Sequence, residues 1–122
     1  MNRIHLYLYL VLSMLAFNSG YASVDKEAEI HHLLSYLESS QCTFVRNGSS
    51  HNAVSAKAHI EKKYNYLKSR INTTEDFIRH TATKSSISGR EYKVTCAGKD
   101  FLAGQWLSEE LRHYRSKALR SN

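Results

Sequence analysis

Three serine hydroxyls lie close together in residues 85–89, a segment that we call the serine loop. Ser85, Ser86 or Ser88 can act as a nucleophile only with a base in hydrogen-bond reach and an oxyanion hole. Lys84 is adjacent, but neither the Ser-x-x-Lys nor the Gly-x-Ser-x-Gly pattern of known hydrolases surrounds these serines. The candidate bases elsewhere in the chain are His51, His59 and His80. The other interpretation is a loop whose hydroxyls satisfy backbone groups.

Arg46 and Asn47 are suited to a different chemistry, the binding of anions. A guanidinium donates paired hydrogen bonds to a carboxylate or a phosphate. Asn47 with the following glycine also predicts a turn, since both residue types tolerate a positive φ. If this turn meets the serine loop, Lys84 adds a charge, and the loop through Gly89 adds hydroxyls and N–H groups. The alternative is that Arg46 and the serines only stabilise their turns.

Cys42 and Cys96 decide whether these two segments meet. They are the only cysteines, so a single intramolecular pairing is possible, and we expect a disulfide; two buried free thiols are the alternative. A disulfide brings the two Cα atoms within about 7 Å of each other. If the flanking strands pair antiparallel, Arg46 and Asn47 move toward the serine loop, whereas parallel pairing would separate them.

A basic stripe follows one face of the strongest predicted helix, residues 53–71. At 100° per residue its members cluster beside the apolar face of that helix. An aromatic ring within such a stripe suits an anionic, partly apolar ligand. The alternative is a solvated face whose long side chains cover the edge of the core. The stripe consists of His59, Lys62, Lys63, Tyr66 and Arg70.

Metal and cofactor sites have little support in the sequence. Neither cysteine has a neighbouring cysteine or histidine at ligand spacing, and a disulfide would remove both thiolates. The five glycines are scattered, so there is no phosphate-binding glycine loop. We therefore expect no metal and no cofactor.

Hydrophobic periodicity predicts the elements that position these residues. The 3.6-residue period indicates helices over residues 25–39, 53–71 and about 103–118, with a short helix through residues 77–82. Residues 41–45 are rich in β-branched and aromatic side chains, and residues 92–96 alternate as a half-buried strand does. The predicted fold class is a small, mostly helical α+β domain. It has three to four helices around a short antiparallel strand pair, with one disulfide.

Residues 1–22 have the pattern of a cleaved signal peptide. Arg3 precedes an apolar run, and Gly20 and Ala22 are small residues at the positions that a signal peptidase reads. An uncleaved anchor is the alternative, but the run is shorter than the roughly 20 apolar residues of a spanning helix. We expect a single domain over residues 23–122, periplasmic or secreted, with no membrane span after cleavage.

The chain resembles the YfeK-like family of small exported bacterial proteins of unknown function. The resemblance rests on ordered segments that cover nearly all of the expected mature chain, and the block around the serine loop is the most specific. It implies an envelope location, and it implies no reaction. The segments are residues 29–34, 42–48, the Ala-x-x-His-Ile-x-x-Lys helix, residues 75–78, residues 84–96 and a terminal Trp-Leu helix.

The formal net charge of +6 favours acidic partners. Nucleic acid is not expected, since an exported protein seldom meets it. The leading hypothesis is a non-enzymatic binding module for an anionic envelope component, whether glycan, lipid or protein. The alternative is a small envelope hydrolase that uses the serines at 85–88 with a histidine. An interaction or inhibitory protein is a third hypothesis. A serine–histidine pair within about 3.2 Å would favour the enzyme, and a basic concave surface without one would favour binding.

The export hypothesis predicts the N-terminus of the mature protein. Because Ala22 precedes the expected cleavage site, N-terminal sequencing of the exported product should begin at Ser23 or within a few residues of it. A membrane-held product that begins at Met1 would contradict this prediction.

Overall fold

Four helices and four strands build residues 25–121, the part of the chain that the computed structural model describes. The predicted signal peptide and its cleavage site lie outside these residues. A 3-10 turn, Lys68–Arg70, extends the second helix, and a π-helical turn, Ile78–Ala82, extends the third. In chain order the elements are α1 (Lys26–Ser39), β1 (Thr43–Arg46), β2 (Ser49–His51), α2 (Ala53–Leu67), α3 (Thr74–Phe77), β3 (Lys93–Cys96), β4 (Lys99–Leu102) and α4 (Ala103–Arg120).

The sheet is antiparallel throughout, with the strand order β2-β1-β3-β4. The predicted strand pair, β1 with β3, forms its centre, and the predicted α+β fold class is confirmed. Two short outer strands, which the sequence did not predict, extend the pair on both sides. Each joins its neighbour through a two-residue turn that ends in glycine, Asn47-Gly48 or Ala97-Gly98, and all four residues have positive φ. This is the geometry of the turns that favour tight hairpins.

The predicted disulfide joins the two central strands. Thr43 pairs with Thr95 in the β1–β3 register, so Cys42 and Cys96 lie opposite each other just beyond that pair. Their Cα atoms are 4.7 Å apart, and the bond closes a sequence separation of 54 residues. The antiparallel pairing on which the proximity of Arg46, Asn47 and the serine loop depended is therefore present.

One face of the sheet is buried under the helices. Phe44 and Val94 are directly opposite in the register, and both are buried. Apolar residues of α1, α3 and α4 complete the core around them, as the helical periodicity indicated. The most deeply buried of these are Leu33, Leu37, Phe77 and Leu107.

An ionic cluster around the buried Glu29 links the helices α1, α3 and α4. Arg115 donates hydrogen bonds to both oxygens of Glu29, at 2.7 and 3.0 Å, and to Glu75 at 2.5 Å. The Thr74 hydroxyl donates to Glu29 at 2.5 Å. Burial raises the pKa of the Glu29 carboxyl, but the bonds from Arg115 and Thr74 outweigh it and leave the pKa lowered. Glu29 therefore stays ionised and paired in the interior.

Loss of the disulfide should destabilise the domain. Replacing Cys42 and Cys96 together with alanine removes a cross-link that restricts the unfolded chain, so the free energy of unfolding should fall by about 2–5 kcal/mol. Urea denaturation of the oxidised protein and the variant measures the difference. Reduced wild-type protein is the matched control and should unfold at nearly the same urea concentration as the variant. An unchanged midpoint, or two reactive thiols in the native chain, would contradict the prediction.

Candidate anion-binding site

A broad groove runs between one edge of α2, the end of β1 and the serine loop. We call it the basic groove; its volume is about 1200 Å³. The structure brings together at this groove all of the predicted binding residues except Asn47. Those that line it are Arg46, His59, Lys63, Lys84, Ser85, Ser86, Ser88 and Gly89.

Asn47 does not line the groove, but it joins the β1–β2 turn to the serine loop. Its amide nitrogen donates to Ser85 Oγ at 3.4 Å, and its amide oxygen accepts a hydrogen bond from Ser88 Oγ at 2.5 Å. The sequence prediction that Asn47 lies near the loop therefore agrees with the geometry. The contacts give this side chain a positioning role.

The serine loop is held in shape by its own hydroxyls. Ser85 is buried, and its Oγ accepts hydrogen bonds from the N–H groups of Ile87 and Ser88, at 3.3 and 3.2 Å. The N–H of Gly89, which has a φ of +73°, donates to the Ser85 carbonyl at 3.0 Å. Ser85 and Ser88 thus stabilise the loop. This agrees with the interpretation in which the hydroxyls of the serine loop satisfy backbone groups. Ser86, in contrast, is exposed in the groove.

Arg46, which lines the groove together with the serine loop, contacts a histidine of α2. Its Nη1 atom lies 2.8 Å from Nδ1 and 3.1 Å from Nε2 of the His59 ring. Because a guanidinium can only donate, the histidine must be neutral and accept. The His59 Nε2 atom also lies 3.3 Å from the hydroxyl of Tyr92, which comes just before β3.

Lys63 completes this network one helical turn after His59. Its ammonium donates to the Lys84 carbonyl at 3.1 Å and to the Tyr92 hydroxyl at 3.3 Å. It also lies 5.2 Å from the centre of the Tyr92 ring, within the range of a cation–π contact. Tyr92, which the sequence predicted only as part of a strand, does not line the groove but contacts two residues that do. The antiparallel register places Tyr92 opposite Arg46, and this pairing was the one feature from which its contact with the site could have been predicted.

The electrostatic environment of the groove is strongly positive. Burial, and then the charges of Arg46 and Lys63, lower the pKa of His59 from 6.5 to about 4. Burial followed by the Arg46 charge also lowers the pKa of Lys63. No aspartate or glutamate is among the described residues that line the groove. Of the cationic side chains there, Arg79 pairs with Asp76, but Arg46 and Lys63 have no carboxylate partner within residues 25–121.

The hydrolase alternative requires a contact that the described residues do not form. Within residues 25–121 no hydrogen bond joins a histidine to a hydroxyl of the serine loop. Two of the three hydroxyls are already engaged with the loop itself or with Asn47.

Within residues 25–121 there is also no cluster of three His, Cys, Asp or Glu side chains able to hold a metal ion. Nor is any helix described there both long and apolar enough to cross a bilayer.

Comparison with known proteins places the chain in a family. A family model described as "Family of unknown function (DUF5329)" matches residues 24–115. The chain belongs to the DUF5329 family. A relative named "Uncharacterized protein YfeK", from Salmonella typhimurium strain LT2, is 38% identical over 85 residues, which cover 67% of this chain and 71% of the relative. The resemblance to the YfeK-like family is thereby confirmed. No solved structure matches.

The position of His59 in this DUF5329 protein predicts an unusual titration. An NMR pH titration should show its imidazole protonating near pH 4, and Arg46→Ala should raise that pKa toward 6.5 because a neighbouring cation is lost. Lys99→Ala, which removes a lysine outside the groove, is the matched control and should leave the His59 pKa unchanged.

The same shift has a consequence for stability. The unfolded chain binds a proton at His59 near pH 6.5, whereas the folded chain does so only near pH 4. The free energy of unfolding should therefore fall as the pH drops from about 6.5 to about 4, and His59→Gln should reduce this loss. An imidazole that titrates near pH 6.5 in the wild-type protein would contradict the prediction.

Proposed function

We propose that this DUF5329 protein is a non-enzymatic binding module that recognises an anionic group on a component of the cell envelope. One observation carries the proposal: partly buried cations meet at the basic groove without a lining carboxylate. Burial, and then the repulsion of the neighbouring cations, lowers the pKa values of His59 and Lys63. A bound anion would offset that repulsion.

The network also retains donors for a ligand. A guanidinium has five N–H donors, and only Nη1 of Arg46 is engaged with His59. The Lys63 ammonium has three, of which the Lys84 carbonyl and the Tyr92 hydroxyl take two. The remaining donors suit a carboxylate or a phosphate, for which charge-assisted hydrogen bonds are the strong ones.

The envelope location rests on two features. The N-terminal sequence has the order of a signal peptide. The disulfide is of the kind that persists in oxidising compartments such as the periplasm and the extracellular space. We therefore place the protein in the periplasm or outside the cell, where an anionic glycan, lipid or protein would be its partner.

The hydrolase remains the second candidate because Ser86 and His80 both line the basic groove. A fluorophosphonate probe, which reacts with activated serines, distinguishes the two functions. The binding proposal expects no labelling of the wild-type protein. Labelling that Ser86→Ala abolishes would contradict the non-enzymatic proposal.

Binding of free anions provides the direct test. Inorganic phosphate and acetate, titrated separately into the mature protein and followed by NMR, should shift the resonances of Arg46, His59 and Lys63. A bound anion favours protonated histidine, so the pKa of His59 should rise on binding. The affinity for phosphate, which keeps a negative charge at acidic pH, should then increase as the pH falls toward that pKa. Arg46→Ala should weaken binding about tenfold, the loss expected for a charge-assisted hydrogen bond.

Lys99→Ala is the matched control for loss of a positive charge, and it should bind as the wild type does. Ser86→Ala asks whether the loop hydroxyl contributes to affinity. If Arg46→Ala and Ser86→Ala both bind at full strength while their thermal stability falls, the residues are structural and the proposal is wrong.

A further inference from the structure

Two large, nearly fully exposed side chains stand at the rim of the basic groove. Ile87, in the serine loop, is 98% exposed, and Tyr66, on α2, is 87% exposed. Both line the groove together with its cations. The other large apolar residues exposed in residues 25–121 do not line it; they are Val54, Phe101 and Leu119.

The exposure of Ile87 is fixed by the loop that carries it. The Ile87 N–H donates to the buried Ser85 Oγ, and the Gly89 N–H closes the turn onto the Ser85 carbonyl. Asn47 holds the same loop from the β1–β2 turn. An aliphatic side chain is thus presented to solvent by a hydrogen-bonded loop whose other members are serines and a glycine.

Basic side chains surround these two residues. Lys62 lies one turn before Tyr66 on α2, Arg70 ends the 3-10 turn that follows α2, and Lys84 comes just before the serine loop. The combination of an exposed apolar residue with a basic surround matches the surface of an anionic bilayer. Headgroup phosphates there attract lysine and arginine, while the layer beneath accepts apolar and amphipathic side chains.

Other anionic ligands match fewer of these features. A free phosphate or carboxylate would account for the cations but would leave Ile87 in water. An acidic glycan would suit the cations and the Tyr66 ring, but it offers little to a branched aliphatic side chain. Charge complementarity and the apolar rim together therefore favour a lipid surface.

We infer that the basic groove docks on a membrane surface that contains anionic phospholipid, with a headgroup phosphate held near Arg46 and Lys63. Ile87 and Tyr66 enter the interfacial layer beside it. The inference rests on the proposed function, because the same groove binds the anion, and it specifies the component that carries the anion.

Vesicle sedimentation tests the inference with the oxidised mature protein. The probes are vesicles of phosphatidylcholine alone and vesicles in which part of it is replaced by phosphatidylglycerol. The wild type should sediment with the anionic vesicles only. Ile87→Ser should lower the partition coefficient about tenfold, because burial of the aliphatic side chain is lost, and Arg46→Ala should also lower it.

The chain offers matched controls for both kinds of change. Val54→Ser and Leu119→Ser remove exposed apolar side chains outside the groove, and Lys99→Ala removes a charge outside it. All three should bind as the wild type does. Since Ile87 is almost fully exposed, Ile87→Ser should keep the wild-type melting temperature, so weaker binding would not reflect unfolding.

The outcomes separate this inference from the proposed function. If free phosphate shifts His59 in an Arg46-dependent way but anionic vesicles do not bind, the inference is wrong and the proposed function stands. If neither probe binds, both fail. Equal binding to phosphatidylcholine vesicles, or anionic-vesicle binding that Ile87→Ser leaves unchanged, would also overturn the inference. So would Ile87-dependent capture of an acidic protein without vesicle binding, which would identify a protein as the partner.

Discussion

Antiparallel pairing of β1 with β3 is the constraint on which the rest of the structure depends. Because the strands run in opposite directions, the residues after Cys42 meet those before Cys96. Arg46 therefore reaches the level of Tyr92, and the β1–β2 turn reaches the serine loop. The second helix, α2, then places His59 and Lys63 in contact with Tyr92. The basic groove is the space between α2, the end of β1 and the serine loop.

Partly buried charges have oppositely charged or hydrogen-bonded carboxylate partners in one region of the domain, but Arg46 and Lys63 have none at the groove. On the side of α1 and α4, buried or half-buried charges have partners: Glu29 with Arg115, and Glu110 with His32 at 2.8 Å. On the side of the groove, Arg46 contacts a neutral histidine, and Lys63 contacts a carbonyl and a hydroxyl. A buried charge that lacks its partner is destabilising. Unpaired cations held in fixed positions are what a binding site for an anion requires, and the disulfide helps a small domain to tolerate them.

The sequence was informative where periodicity or covalent chemistry determines structure. The helices follow their apolar stripes, and the cysteines with their alternating neighbours identify β1 and β3. The outer strands were not predicted because Ser-Ser-His and Lys-Asp-Phe-Leu carry little strand propensity; pairing with the central strands makes them strands.

The approach of Asn47 to the serine loop followed from strand direction. The Arg46–His59–Tyr92 contacts depend on how α2 crosses the sheet, which no local pattern encodes. Nor could the sequence tell that Ser85 is buried and Ser86 exposed.

The long separation between the paired cysteines has a consequence for how the domain forms. The helices α2 and α3 lie between β1 and β3, and helical contacts are local and form quickly. The central strands can pair only after a loop of more than fifty residues closes, and closure carries an entropic cost. With no proline in the chain, no slow peptide isomerisation delays that step. The basic groove should therefore assemble late in folding. Until then, the cations of α2 have neither Arg46 nor the serine loop opposite them.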